Sequence, residues 1–197
     1  MKKIVIIGPE STGKSTLCEQ LAAHYNTEWV REYAREYLLK NGTAYTSEDL
    51  WEIAQGQMSA EEQLTREWQG VNWEKHDTSK QDRSHPPLTT RHSPFPVFID
   101  TDMYVMKVWS EIVFNKCDNR ILTQIAKRKY DLYLLCNTDL PWVKDDLREY
   151  PELKQRQKIY QFYLDAMVNQ HVPWVNISGG YGERLEKAIK AVDDLLD

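Results

Sequence analysis

GPESTGKST, residues 8–16, fits the pattern G-x-x-x-x-G-K-[ST] of a phosphate-binding loop at every fixed position. The residues before it, Lys2-Lys-Ile-Val-Ile-Ile7, hold the short apolar run that a buried parallel strand needs. After it, Leu17, Cys18, Leu21, Ala22 and Tyr25 recur at helical spacing. Strand, glycine loop and helix in that order turn a pattern match into a mechanism, because the loop's N–H groups and the helix N-terminus converge on phosphate oxygens. Gly8, Glu10, Ser11, Thr12, Gly13, Lys14, Ser15 and Thr16 are therefore the expected nucleotide-binding residues. Lys14 is expected on the β/γ-phosphates, and the Ser15 hydroxyl on Mg²⁺.

Working outward, four more strand candidates follow at about 28–31, 96–100, 131–136 and 173–177, with helical stretches between them. That alternation predicts an α/β fold with a parallel sheet flanked by helices. Thr46 with Asp49 three residues on reads as a capping box. It opens a helix striped by Leu50, Ile53, Ala54 and Met58. Further stripes are Val105, Val108, Trp109, Ile112 and Val113; Ile121, Leu122, Ile125 and Ala126, after a cap at Asn119; and Ile159, Phe162, Tyr163, Ala166 and Met167. Leu185, Ile189, Val192 and Leu196 close the chain. Residues 70–96 break the pattern. They are polar, rich in proline, serine and threonine, and predict a long loop. His76, His85 and His92 lie in it at spacings that match no zinc site.

A length of 197 residues suits one domain, 1–197. The net charge of −5 argues against a large nucleic-acid surface. No apolar run approaches the roughly 20 residues of a membrane span. Cys18, Cys117 and Cys136 are scattered, with no C-x-x-C pair, which suits a reducing, cytoplasmic setting.

Four features outside the loop carry chemistry. Pro96-Val-Phe-Ile-Asp100 is an apolar strand ending in a carboxylate, placed to help Ser15 hold Mg²⁺. Asp102, two residues on, is either a helix cap, a substrate ligand or both. Glu32 lies just past the second strand, where ligands of parallel sheets bind, and a carboxylate there can orient an acceptor hydroxyl and take its proton. Arg31 and Arg35 stand near it, within reach of carboxylates. The segment from Asp139 through DLPWVKDDLR to Arg156 reads as a lid over about 139–156, with Arg148 and Arg156 closing on phosphates, or as a surface segment with ordinary ion pairs. Ser178-Gly179-Gly180 after the last strand either passes under an adenine ring or makes a tight turn. Asn137-Thr-Asp139 lacks the lysine and the spacing of a GTPase base-reading element, and no transporter-ATPase signature is visible.

Taken together, GPESTGKST (8–16), EYARE (32–36), FIDTD (98–102), the run Asp139–Arg148 and Gln155-Arg-Gln157 resemble the ribosylnicotinamide kinase domain of the NadR-type NAD-salvage family. The resemblance runs from the first strand to the last helix. It implies a P-loop kinase-like three-layer sandwich with a five-stranded parallel sheet and a lid. It also implies ATP-dependent phosphorylation of nicotinamide riboside at its 5′-hydroxyl, with Mg²⁺; the residues leave open a P-loop kinase for another nucleoside or small alcohol, or a P-loop ATPase or regulator that is not a kinase. Carried over by residue, Lys14 and Ser15 serve ATP and Mg²⁺, Glu32 and Asp102 approach the riboside, and Arg148 belongs to the lid. Where some relatives place an aromatic residue before the EYARE-like motif, this chain has Arg31, so stacking on the base falls to Tyr33, Trp51 or Trp109, or is replaced. Because the chain begins almost at the first kinase strand, neither the nucleotidyltransferase nor the DNA-binding activity of bifunctional members is expected.

Overall fold

Ile4, Val5, Ile6 and Ile7 are fully buried, and they form the last four residues of β1 (Lys2–Ile7) at the centre of a parallel sheet. The computed structural model describes residues 1–74 and 95–197. Among these, the sheet has the order β2-β3-β1-β4-β5, with β2 (Trp29–Val30), β3 (Pro96–Asp100), β4 (Leu132–Cys136) and β5 (Trp174–Ile177). Ile4 lies opposite Phe98 on one side and Leu132 on the other. The second strand is shorter than the sequence suggests, two residues at the sheet edge.

Period-two alternation divides the strands between two cores. Val5, Ile7, Val97, Ile99, Tyr133 and Leu135 pack with residues of α3 (Ser47–Glu74), α4 (Met103–Phe114), α5 (Asn119–Lys127) and α6 (Leu153–Val168). Ile4, Ile6, Phe98, Leu132, Leu134 and Cys136 pack with α1 (Lys14–Tyr25) and α7 (Tyr181–Leu196). With both faces covered, the strands need apolar residues at every position, which is why their sequences read as continuous runs. The result is the expected α/β three-layer sandwich. A seventh helix, α2 (Tyr33–Asn41), follows β2. The chain leaves β1 for β2 and β3 on one side and later returns to β4 and β5 on the other. This topological switch opens a crevice at the strands' carboxyl ends.

Three expectations change. The helix opened by Thr46 and Asp49 continues to Glu74, so Gly70–Glu74 is helical where a loop was expected; the rest of that stretch, with His76, His85 and His92, lies outside the described residues. The cap of α5 is Asp118, whose Oδ1 accepts the Arg120 N–H at 2.7 Å, in place of Asn119. A carboxylate accepts only, and one residue earlier it reaches the second helical N–H. Leu122 and Phe162, counted in apolar stripes, are 39% and 46% exposed. The Thr46–Asp49 box itself is formed: Thr46 N–H donates to Asp49 at 2.7 Å and Asp49 N–H to Thr46 Oγ1 at 3.3 Å.

Candidate active site

The phosphate loop takes its shape from residues with positive φ. Gly8 has φ +139°, and a Cβ there would stand 2.6 Å from the Cys136 carbonyl oxygen of β4, so only glycine fits. Ser11 (φ 56°) and Gly13 (φ 78°) also take left-handed backbone, the conformation from which anion-binding loops of N–H groups are built. Thr12 Oγ1 donates to the Pro9 carbonyl at 2.7 Å and Lys14 Nζ donates to the same oxygen at 3.1 Å. The whole loop, Gly8 to Thr16, lines one cavity of about 430 Å³.

Glu32, at the cap position of α2, lines the same cavity. Asp100 is fully buried at the end of β3. Its Oδ2 accepts the Ser15 hydroxyl at 2.5 Å, while Oδ1 is buried with no partner among the described residues. Burial above all, and then the Glu32 carboxylate, pushes the Asp100 carboxyl well above the usual range. A buried, unpartnered carboxylate oxygen beside a serine hydroxyl is the hard-oxygen donor set that suits Mg²⁺ with its waters. The residues present therefore fit the metal expected from the sequence.

Two neighbours that the sequence reading missed hold these groups in place. Gln57, 2% exposed on α3, accepts the Tyr33 N–H at 2.8 Å and donates to the Asp100 carbonyl at 3.1 Å. It thus ties the residue after Glu32 to Asp100. Thr101 has φ +81°, a left-handed conformation that is costly for a β-branched residue. Its hydroxyl donates to Glu32 at 3.5 Å. A glutamine on an apolar stripe carries no local signal of such a bridge.

The segment between β4 and α6 lies over the phosphate loop. Arg148 Nη1 donates to the Val143 carbonyl at 2.6 Å and approaches Ser11 Oγ at 3.4 Å. Arg35 on α2 meets Asp145 with two bonds, 3.2 and 3.0 Å. Arg148, Asp145 and Arg35 all line the cavity. Arg156 does not. It sits in the first turns of α6, 3% exposed, with its guanidinium over the Trp142 ring at 5.5 Å and Nη1 toward the Leu140 carbonyl at 3.5 Å. The segment over the phosphate loop therefore ends where α6 begins at Leu153, and Arg156 holds Trp142 and the Leu140 carbonyl at its base.

Asp102 is likewise absent from the cavity wall. It caps α4: Oδ1 accepts the Tyr104 N–H at 2.9 Å, Oδ2 accepts the Tyr133 hydroxyl at 2.8 Å, and the residue is 2% exposed. Of the two roles left open by the sequence, the structure displays the cap. Of the three aromatics offered for stacking, Trp109 lines the cavity. Its Nε1 donates to Tyr45 at 2.9 Å. Trp51 is covered by the Arg120 guanidinium at 4.9 Å, and the Tyr33 ring lies against Gly56. Tyr150, which the sequence did not single out, and Tyr163, which it placed on an apolar stripe, also line the cavity, with Leu38, Val105 and Ile112. Gly179, with φ +102°, makes a turn into α7 and donates to Asp139 at 2.6 Å. Arg184 of α7, 3% exposed, staples this corner by donating to the carbonyls of Thr12 (3.0 Å), Asn137 (3.0 Å) and Gly179 (2.7 Å), and it pairs with Asp139.

A glycine loop entering α1, parallel strands in the order β2-β3-β1-β4-β5, and a segment closing over the loop define a P-loop protein of the kinase fold. A family model described as an AAA domain matches residues 3–184, and the chain belongs to that family. Curated relatives bear out the resemblance. The trifunctional NAD biosynthesis/regulator protein NadR of Escherichia coli (strain K12) is 21% identical over 201 aligned residues, covering 100% of this chain and 43% of that protein. The protein of the same name from Salmonella typhimurium gives the same figures. The chain thus spans under half the length of these relatives. Among solved structures, NadR in complex with NR superposes with a TM-score of 0.71 at 22% identity, covering 99% of this chain and 51% of that one. A deoxyadenosine kinase from M. mycoides gives 0.62 at 11% identity over 98% and 99%. At these identities the likeness fixes the fold.

Proposed function

We propose that the chain is a nucleoside kinase that moves the γ-phosphoryl group of ATP to the 5′-hydroxyl of nicotinamide riboside. The observation that carries this reading is that one cavity holds a complete phosphate loop, a carboxylate beside it, and an aromatic wall. The likeness to NadR, one structure of which is in complex with NR, supports the choice of acceptor.

In this mechanism the loop N–H groups and Lys14 hold the donor phosphates, and Arg148 offsets charge that spreads over the γ-phosphoryl oxygens. Glu32 orients the acceptor hydroxyl and takes its proton as the oxygen attacks phosphorus. The bond to the β–γ bridging oxygen breaks and ADP leaves. Ser15 and Asp100 would hold Mg²⁺, which when bound neutralises charge on the β- and γ-oxygens. Thr101 and Gln57 position Glu32 and Asp100. The acceptor's pyridinium ring is cationic, and Trp109, which lines the cavity, is the kind of aromatic residue that attracts such a cation.

ADP release measured against a panel of nucleosides tests the acceptor. Nicotinamide riboside is expected to give the highest kcat/KM, and preference for a neutral nucleoside would reassign it. Glu32→Gln is expected to lower turnover by roughly a hundredfold or more, with ATP affinity unchanged. Unchanged turnover would move the base elsewhere.

A further inference from the structure

We propose that Glu10, inside the phosphate loop, is a positioning residue that seats the lid and thereby places Arg148. The proposal rests on the kinase reading above.

An acidic residue within a loop built for polyphosphate works against donor binding unless its charge is used elsewhere. The Glu10 carboxylate is used by the lid. It accepts the Glu149 N–H at 3.1 Å and the Tyr150 N–H, the two residues directly after Arg148. Next to Glu10, Ser11 Oγ accepts the Val143 N–H at 3.0 Å and faces Arg148 Nη1 at 3.4 Å. The Val143 carbonyl accepts that same Nη1 at 2.6 Å. Arg148 is thus bracketed on both sides by backbone that the loop itself holds. Hydrogen bonds to an ionised carboxylate are the stronger kind, and two converge here on one side chain. Burial raises the Glu10 carboxyl despite these donors and Lys14.

The seated segment also reaches the acceptor wall. The Glu149 carboxylate accepts the Tyr45 hydroxyl at 3.3 and 3.2 Å, and Tyr45 accepts the Trp109 N–H at 2.9 Å. Residue 149 therefore joins the donor loop, by its backbone, to the acceptor side, by its side chain. Glu10 touches no reacting atom in this account. It acts through Arg148.

A double-mutant cycle with hydrogen exchange tests this on the full chain. Arg148→Ala is expected to lower turnover about a hundredfold, the scale of a lost charge on a phosphoryl transition state. Glu10→Gln is expected to lower it roughly tenfold, the scale of a misplaced group, while a non-hydrolysable ATP analogue binds as well as before or tighter. The double variant is expected to match Arg148→Ala alone within about twofold, because the second loss acts through the first. Amide exchange in the peptide spanning 143–150 is expected to quicken in Glu10→Gln. Should Glu10→Gln unfold, Glu10→Asp carries the same test, since one methylene fewer breaks the two-point seat. Multiplying losses in the double variant, or unchanged exchange at Glu149 and Tyr150, would overturn the proposal. If the wild-type chain phosphorylates no nucleoside, the kinase reading fails. The exchange and analogue-binding measurements still decide whether Glu10 seats the lid.

Discussion

Lys14→Met removes the ammonium that faces the cavity beside the loop carbonyl of Pro9 and leaves the strands untouched. Turnover is expected to fall by about a hundredfold or more, because this charge acts in the transition state as well as in binding. Wild-type turnover in a folded variant would remove Lys14 from the mechanism. Asp102 carries a different kind of prediction. Burial above all pushes its carboxyl from the ordinary 3.8 up to about 7. A folded pKa above the unfolded one favours folding most at low pH, where both states are protonated. The advantage fades as pH rises from about 4 toward 7, where the unfolded chain ionises and the folded one resists. Asp102→Asn keeps an acceptor for the cap but does not titrate. Denaturant melts at pH 5 and 8 are therefore expected to show a smaller loss of stability at pH 8 in the variant than in the wild type. An equal loss in both would place the titration elsewhere. The contrast between Lys14 and Asp102 shows what was legible at this scale. The role expected for Lys14 rests on a pattern of eight consecutive residues. Whether Asp102 faces the cavity or caps α4 depends on Tyr133, a residue 31 positions away.

Elements were legible where periodicity is strong. The strand and helix order followed from apolar runs and stripes, and the capping box placed the start of α3 correctly. Several errors fell at element ends, as at the cap of α5 and the end of α3. Arg156 was expected to close on phosphates because it follows a run of charge, yet it is buried against the Trp142 ring with its guanidinium toward the Leu140 carbonyl. Arg184 read as an unremarked helix position, although it binds three carbonyls from three separate turns. Such long-range staples leave no mark in a single sequence. Arg184→Ala is expected to cost about 3 kcal/mol, the scale for removing a buried charged donor from several acceptors. Thermal unfolding checks it; a loss within about 0.5 kcal/mol, the range of ordinary surface changes, would mean the corner holds without the staple. Because the Thr12 carbonyl is one of its partners, nucleotide affinity is expected to weaken as well.

At the scale of the whole molecule, the parallel sheet brings together residues far apart in the chain. Glu32, Asp100 and Arg148 meet the phosphate loop because β2, β3 and β4 all end on the same side as β1. The sequence supported that convergence through the rule that parallel-sheet ligands bind at carboxyl ends. The aromatic wall of the cavity was less legible, since Trp109, Tyr150 and Tyr163 come from three separate segments and are chosen by packing. The central claim is transfer of a phosphoryl group to a nucleoside hydroxyl rather than to water. Phosphorus NMR of one reaction holding ATP, Mg²⁺ and nicotinamide riboside tests it most directly, because a phosphomonoester product and inorganic phosphate give separate signals. The ester of nicotinamide riboside is expected to grow in step with ADP. ADP accompanied by inorganic phosphate alone would contradict it.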